Sequence, residues 1–245
     1  RSAPRNAAPP MPLDVLYQDG PVLVVSKPPG LLTQAPRGID SLELWVRAFY
    51  RQQEANADGN FYLGIVHRID RPVTGAICFG RNVRATQRLA RQFQERTVGK
   101  TYWALVEGHV EPDAGTWRDH LHKRHGMAQA IVVPEDNERG KLAILHYTVR
   151  GRTDGWTWLE ITLETGRTHQ IRVQAASRGH AVLGDAQYGA ATPFGEQTPD
   201  ERDRQIALHA RELSFRHPMR DEAVSVTAPL GVQWDGLIEA CAGPG

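Results

Sequence analysis

The sequence predicts an α+β fold, a mixed β-sheet with helices, in a single domain. Predicted strands outnumber predicted helices, and there is no regular alternation of strand and helix of the kind that builds a doubly wound sheet. No internal repeat and no linker-like stretch divides residues 13–240, so we expect one domain there. Residues 1–12 are rich in Ala, Pro and Arg and contain no apolar segment, which predicts a flexible tail.

The first predicted elements are a strand and a helix. Residues 22–26 form a short apolar run that stops at Lys-Pro-Pro-Gly, which is typical of a buried strand followed by a rigid turn. Residues 41–50 carry Leu, Trp, Val and Phe at helical spacing, and Ser41 can cap this helix by accepting from the amide of Leu44.

A second strand and helix follow near residue 80. The apolar run 76–79 predicts a strand, and residues 83–96 place apolar side chains on one helical stripe. The opposite side carries Arg84, Arg88 and Arg91, which could meet phosphates or could simply form a solvated helix face.

The remaining elements are mostly strands. Residues 158–164 alternate apolar and polar, which predicts a half-buried strand, and residues 168–178 predict a helix that ends before Gly179. Content rich in β-branched and aromatic residues predicts further strands at 101–106, 144–149, 207–215 and 223–227.

The net charge, the apolar runs and the cysteines indicate what class of protein this is. A net charge of +1 gives no overall case for a nucleic-acid partner, so any RNA binding must come from local basic clusters. No apolar run approaches the ~18–20 residues that span a bilayer, so we expect no membrane association. Cys78 and Cys241 lie far apart and imply no disulfide framework, which fits a cytoplasmic location.

The run at residues 67–75 is the most informative stretch. It places Asp70 between Arg68 and Arg71 and directly before a Pro-Val-Thr-Gly turn. Guanidinium groups are charged at every relevant pH and favour an ionised carboxylate, which suits a nucleophile or charge stabiliser better than a proton donor. The alternative is a surface ion pair at a turn. A second arginine-bearing turn, residues 165–172, could face the first.

These residues resemble the RluA family of RNA pseudouridine synthases. The family hallmark reads H-R-L-D-R-x-T-S-G, and residues 67–75 depart from it only at Ile69, Val73 and Thr74. The resemblance extends over roughly residues 13–230. Further blocks match in the family's order at residues 27–30, 100–108, 165–172, 179–189, 208–210 and 215–218.

The resemblance implies a fold and an activity. The family fold is a large mixed, mainly antiparallel sheet with flanking helices and a central RNA-binding cleft. The implied reaction isomerises uridine to pseudouridine in rRNA or tRNA stem-loops and needs no cofactor or metal. We expect a monomer, and because about twelve residues precede the matched region we expect no S4-type RNA-binding module.

The resemblance also assigns roles to individual residues. It makes Asp70 the catalytic carboxylate, Arg167 its paired arginine and Tyr102 the platform that stacks on the flipped base. Ile171 matches an apolar position that closes the pocket. Whether the carboxylate attacks C1′ or removes a sugar proton to give a glycal stays open, since both routes require it ionised.

Substrate contacts are expected at four further positions. Arg68 could fill the gap left by a flipped nucleotide or hold a phosphate, and Arg71 flanks the same aspartate. His67 could contact RNA or order its own loop, and Lys27 could be a substrate-binding cation or part of a turn.

Two other functions fit parts of the sequence. His120, His122 and His125 could form a metal cluster, completed by Asp70 or Asp185, in a metal-dependent hydrolase. The chain could also be a non-catalytic RNA-binding protein on the same fold.

Overall fold

In a computed structural model, residues 12–53, 61–123, 126 and 129–242 are described. The predicted tail therefore lies almost wholly outside the described residues. The helices are α1 (Leu42–Gln53), α2 (Val83–Gln94), α3 (Gln170–Ala176) and α4 (Leu237–Ala242). The strands are β1 (Val15–Asp19), β2 (Val22–Lys27), β3 (Gly64–Ile65), β4 (Thr74–Gly80), β5 (Gly99–Glu107), β6 (Ala114–His122), β7 (Ile131–Val133), β8 (Lys141–Arg152), β9 (Trp156–Leu163), β10 (Leu208–Arg216) and β11 (Ala223–Thr227).

All eleven described strands belong to one sheet. Its order is β1-β2-β4-β10-β5-β9-β8-β6-β7, with β3 paired to β4 and β11 paired to β10. Every pairing is antiparallel except that of β4 with β10. The predicted α+β class, with a mixed and mainly antiparallel sheet, is confirmed.

Helices cover both faces of the N-terminal part of the sheet. Along β2, Leu23 and Val25 pack with residues of α1, whereas Val22 and Val24 pack in a cluster that includes Leu89 of α2. Burial on both faces explains why this strand reads as a continuous apolar run rather than an alternating one.

The predicted elements are present, with shifted ends. Ser41 caps α1 as expected, accepting from the Leu44 amide at 3.4 Å. Helix α3 is shorter than the predicted 168–178, because His169 adopts left-handed backbone angles and the helix begins only at Gln170. Sequence reasoning missed β1, β3, β6, β7 and α4. No helix in the described ranges combines the length and apolarity needed to cross a membrane.

The central strands set the position of the hallmark turn. Tyr102 on β5 is in register with Ala210 on β10, and Ala210 is in register with Gly75 at the start of β4. Gly75 has φ of +113°, and a Cβ there would lie 2.7 Å from the Ala210 nitrogen. The glycine of the hallmark therefore allows two backbones to approach closely, which brings Tyr102 within two strands of the loop that carries Asp70.

Candidate active site

A cavity of about 650 Å³ opens between the hallmark loop, β5 and the segment 165–172. Its permanently charged lining is almost all cationic: among the described residues, six Arg or Lys side chains and a single carboxylate, that of Asp70, line the cavity. The chain as a whole is nearly neutral, so RNA binding would have to depend on a local basic cluster, and this cavity is such a cluster. The six cationic residues are Arg68, Arg71, Lys100, Lys123, Arg167 and Arg172.

The arginine that approaches Asp70 is Arg172. Its Nη1 lies 3.4 Å from Asp70 Oδ2. The prediction that Arg167 forms this pair is wrong: Arg167 Nε donates to the Leu142 carbonyl at 2.8 Å. Arg167 still lines the cavity, so a contact between it and substrate stays a prediction.

Arg172 is fixed from behind by Asp185. The two side chains are 3% and 1% exposed, and they form a bidentate pair through Nε to Oδ2 at 2.6 Å and Nη2 to Oδ1 at 2.7 Å. Nη2 also donates to Gln187 Oε1 at 2.8 Å. Burial disfavours the charged guanidinium, but the pair with Asp185 outweighs it and raises the pKa of Arg172. The remaining nitrogen, Nη1, is thus directed at Asp70.

Gln170 shapes the turn that precedes α3. Its Oε1 accepts from the Thr165 hydroxyl at 2.8 Å and from the Arg167 amide at 3.0 Å, while its Nε2 donates to the Ile144 carbonyl. This buried amide ties the turn to β8. The left-handed conformation of His169 then redirects the chain, so that Arg172 enters the helix facing the cavity.

Tyr102 and Ile171 lie where the resemblance placed them. Both line the cavity, and Ile171 is 4% exposed, so it serves the core and the cavity wall together. Burial, followed by the charge of Asp70, raises the pKa of Tyr102, which keeps the phenol protonated. Among the described residues the Tyr102 hydroxyl has no hydrogen-bond partner, so it is available to a base. The stacking role itself stays a prediction.

His67 orders the hallmark loop. Its Nε2 accepts from the Cys78 amide at 2.9 Å, and its ring stacks on Phe93 with centroids 4.5 Å apart. Burial lowers the pKa of His67 to about 3, so the ring is neutral. The ring also lines the cavity, and a contact with RNA stays a prediction.

The two hallmark arginines differ in their surroundings. Arg68 is exposed at the cavity and makes no ion pair within the described part of the chain, which suits a phosphate contact. Arg71 is partly buried, where its Nε donates to the Gly30 carbonyl at 2.6 Å and its Nη2 pairs with Asp203 at 2.7 Å. A substrate role for either residue stays a prediction.

Lys27 is a structural residue, and the prediction that it is a substrate-binding cation is wrong. Its side chain is completely buried, and Nζ donates to the carbonyls of Pro28, Leu31 and Arg71 at 2.8, 2.8 and 3.0 Å. All three donors are used, so the ammonium joins the Lys-Pro-Pro-Gly turn to the hallmark loop.

The histidines of the hydrolase hypothesis do not form a metal site in the described residues. His120 and His122 lie on β6, and His125 lies outside the described residues. Across the described ranges no group of three or more His, Cys, Asp or Glu side chains is placed to hold an ion. The predicted completion by Asp185 is contradicted, since that carboxylate is bound to Arg172.

Sequence reasoning did not single out Arg172, His169 or Lys100, which all line this cavity, whereas Lys123 belongs to the basic segment 120–125 that could contact RNA. One signal was available for Arg172. It sits between Ile171 and Val173 in a helix with mostly buried residues, and an arginine in such a place needs a charged partner.

The chain is similar to RNA pseudouridine synthases over most of its length. The family model described as RNA pseudouridylate synthase matches residues 21–177. An uncharacterized RNA pseudouridine synthase of Bacillus subtilis is 36% identical, and the match covers 95% of this chain and 74% of that protein. The ribosomal large subunit pseudouridine synthase D of Xanthomonas campestris is 34% identical, with 94% and 70% covered.

One solved structure supports the fold alone. Human RNA pseudouridylate synthase domain containing 4 superposes with a TM-score of 0.72 at 21% sequence identity, covering 89% of each chain.

An uncharacterized RNA pseudouridine synthase of Synechocystis is 32% identical, and the match covers 93% of this chain and 68% of that protein.

Proposed function

The chain belongs to the RluA family of RNA pseudouridine synthases and is an RNA isomerase, and from this premise we propose that Asp70 is its catalytic carboxylate. We further propose that Arg172 holds this carboxylate, that Tyr102 stacks on the flipped base, and that the substrate is a stem-loop of rRNA or tRNA. The enzyme acts as a monomer in the cytoplasm, a location that its two free cysteines suit.

The reaction rearranges one nucleotide without any net gain or loss. The C1′–N1 bond breaks, the base rotates, and a C1′–C5 bond forms; C5 then loses its proton and N1 gains one. The protein must supply an anion at the sugar, a surface that holds the detached base, and a pocket from which water is excluded. No step of this exchange requires an oxidant or a second substrate.

The observation that carries the proposal is the position of Asp70 as an accessible carboxylate among cationic side chains. Among the described residues it is the single carboxylate that lines a cavity with six cationic side chains, and its 28% exposure leaves it open to a ligand. Within the described ranges two basic side chains approach Asp70, those of Arg172 and His169, and both lie on the side of Oδ2. Oδ1 is therefore the oxygen that faces a ribose, whether it adds to C1′ or removes a proton.

The surrounding residues fit a flipped nucleotide. A phenol face such as that of Tyr102 is worth ~1–3 kcal/mol when a base stacks on it. Ile171, which lines the same cavity, gives an apolar wall. Exposed cations such as Arg68 can hold the flanking phosphates, which position the RNA without reading its sequence.

The proposal is tested by tritium release from [5-³H]uridine-labelled RNA taken from cells that lack the protein. We expect Asp70→Asn to bind this RNA with an affinity close to that of the wild type but to release no tritium above background. The control is Asp154→Asn, which changes an exposed aspartate in the turn between β8 and β9. Release by Asp70→Asn at the wild-type rate would contradict the catalytic assignment.

A further inference from the structure

His169 places a second polar group beside Asp70. Its Nε2 lies 3.9 Å from Asp70 Oδ2, the same oxygen that Arg172 approaches. Its Nδ1 lies 2.8 Å from the hydroxyl of Tyr188. The ring is therefore suspended between a tyrosine and the candidate catalytic carboxylate.

The hydrogen bonds around Tyr188 decide which ring nitrogen carries the proton. The Tyr188 oxygen already accepts from the Ala130 amide at 2.8 Å. Its own proton must then find an acceptor, and His169 Nδ1 is the acceptor within reach. A neutral ring that accepts at Nδ1 carries its proton on Nε2, so an N–H group faces Asp70.

We propose that Tyr188 and His169 are positioning residues for Asp70: Tyr188 fixes the tautomer of His169, so that an Nε2–H group faces Oδ2 at 3.9 Å, beside Arg172. The catalytic consequence rests on the proposed function of Asp70, whereas the tautomer does not. Both orienting residues come from the segment 179–189: Tyr188 bonds to His169, and Asp185 pairs with Arg172. One short turn thus orients both groups that approach Asp70.

The charges around His169 leave the ring neutral at pH 7. Burial lowers the pKa of His169, and Arg172 and Lys123 act in the same direction; the carboxylates of Asp70 and Asp185 oppose them without reversing the sign. Since the pKa lies below the usual 6.5, the ring is neutral at neutral and alkaline pH. In this range the hydrogen bond from Tyr188 selects the tautomer, and the charge of Asp70 beyond Nε2 favours the same one.

The backbone at His169 dictates the choice of variants. Its φ of +54° is left-handed, a conformation that Asn also tolerates well. His169→Asn therefore keeps the backbone and a polar atom near the position of Nδ1, but removes the group that faces Asp70. Tyr188→Phe keeps the imidazole and removes the proton that fixes its tautomer.

Kinetics of tritium release test the catalytic part. At pH 8 we expect both variants to lower kcat by roughly tenfold to a hundredfold, with KM for RNA changed by less than about threefold, because the N–H donor that faces Asp70 Oδ2 at 3.9 Å is removed or is no longer fixed, while the RNA contacts stay. Matched controls are Tyr17→Phe, whose hydroxyl bonds to Asp19 on β1, and His146→Asn on β8, and both should keep wild-type kcat.

The pH profile separates a tautomer effect from a structural one. A protonated imidazole carries a proton on both nitrogens whatever Tyr188 does. The deficit of Tyr188→Phe relative to wild type should therefore shrink as the pH falls from 8 through the protonation of His169, followed by NMR in the same protein, whereas that of His169→Asn should stay constant. A deficit of Tyr188→Phe that is the same at every pH, or wild-type kcat in both variants, would overturn the positioning role.

Nitrogen NMR of ¹⁵N-histidine-labelled protein reads the tautomer without any reaction. The resonances of His169 are those missing from His169→Asn. We expect the wild type to show a protonated Nε2 and an unprotonated Nδ1 at pH 8, and Tyr188→Phe to show a mixture. A protonated Nδ1 in the wild type would refute the tautomer assignment, even if Asp70 proves catalytic.

Discussion

Two buried or half-buried charged residues beside the cavity, Asp70 and Lys27, illustrate how differently single residues are used. Asp70 keeps one oxygen free, because Arg172 and His169 both approach Oδ2. Lys27 has no free donor, because its three N–H groups are donated to three carbonyls. Burial lowers the pKa of its ammonium to about 7. The first arrangement suits a reacting group, and the second suits a structural joint.

His67 makes stability dependent on pH. The folded state holds the ring neutral to about pH 3, whereas an unfolded histidine takes up a proton near 6.5. The unfolded state therefore binds more protons below pH 6.5, so this contribution is complete above 6.5 and is lost as the pH falls towards 3. By pH 4.5 the loss is about 3 kcal/mol.

Urea unfolding at pH 7.5 and at pH 4.5 measures this difference. His67→Gln, which cannot titrate, should lose about 3 kcal/mol less between the two pH values than the wild type does. His146→Gln, which removes an exposed histidine, is the matched control. An equal loss in His67→Gln and in wild type would show that the folded ring is not held neutral.

At the scale of elements, the junction of β4 and β10 depends on Gly75. The glycine has φ of +113°, and any Cβ would press on the backbone of Ala210. We expect Gly75→Ala to lower the free energy of unfolding by about 3 kcal/mol or more, from strain and overpacking together. Chemical denaturation measures it, with Gly155→Ala as control because a Cβ at Gly155 meets nothing within 4 Å. Equal stabilities for the two variants would contradict this account.

Elements were predictable where burial dictates the residue pattern. The run that became β2 is apolar throughout because both of its faces are covered, and the helical stripe of α2 buries Ala85 and Leu89. Strand β6 escaped notice because it is largely polar and is held by pairing with its neighbours β7 and β8. Pairing of this kind is a property of the partners rather than of the segment.

The site was predictable as a pair of segments but not as a set of contacts. The two arginine-bearing turns do face one cavity, as the sequence suggested. The motif could not tell which arginine of the second turn reaches Asp70, since that depends on the left-handed backbone at His169 and on the distant Asp185. Lys27 was misread for the same reason, because its carbonyl partners are fixed only by the folded loop.

At the scale of the whole molecule, charge is concentrated rather than abundant. The net charge is +1, yet six cations surround the cavity. We expect the affinity for RNA to fall as the salt concentration rises. We also expect Arg68→Gln and Lys123→Gln each to make the plot of log K against log salt concentration less steep, by ~0.7–0.9 in slope per lost phosphate contact. Binding isotherms at several salt concentrations measure the slope. Arg150→Gln, an exposed arginine on β8 that does not line the cavity, is the control, and a slope that falls only in this control would contradict the prediction.

The fold delivers Arg172, rather than Arg167, to Asp70, the proposed catalytic carboxylate. Lysine cannot both pair bidentately with Asp185 and reach Asp70, whereas at Arg167 it need only replace a bond to the Leu142 carbonyl. The most direct test is single-turnover tritium release at saturating RNA by Arg172→Lys and Arg167→Lys, each first shown to be folded. We expect a loss of roughly a hundredfold or more for Arg172→Lys and of less than about tenfold for Arg167→Lys. The reverse order, with Arg167→Lys inactive and Arg172→Lys near the wild-type rate, would contradict this assignment.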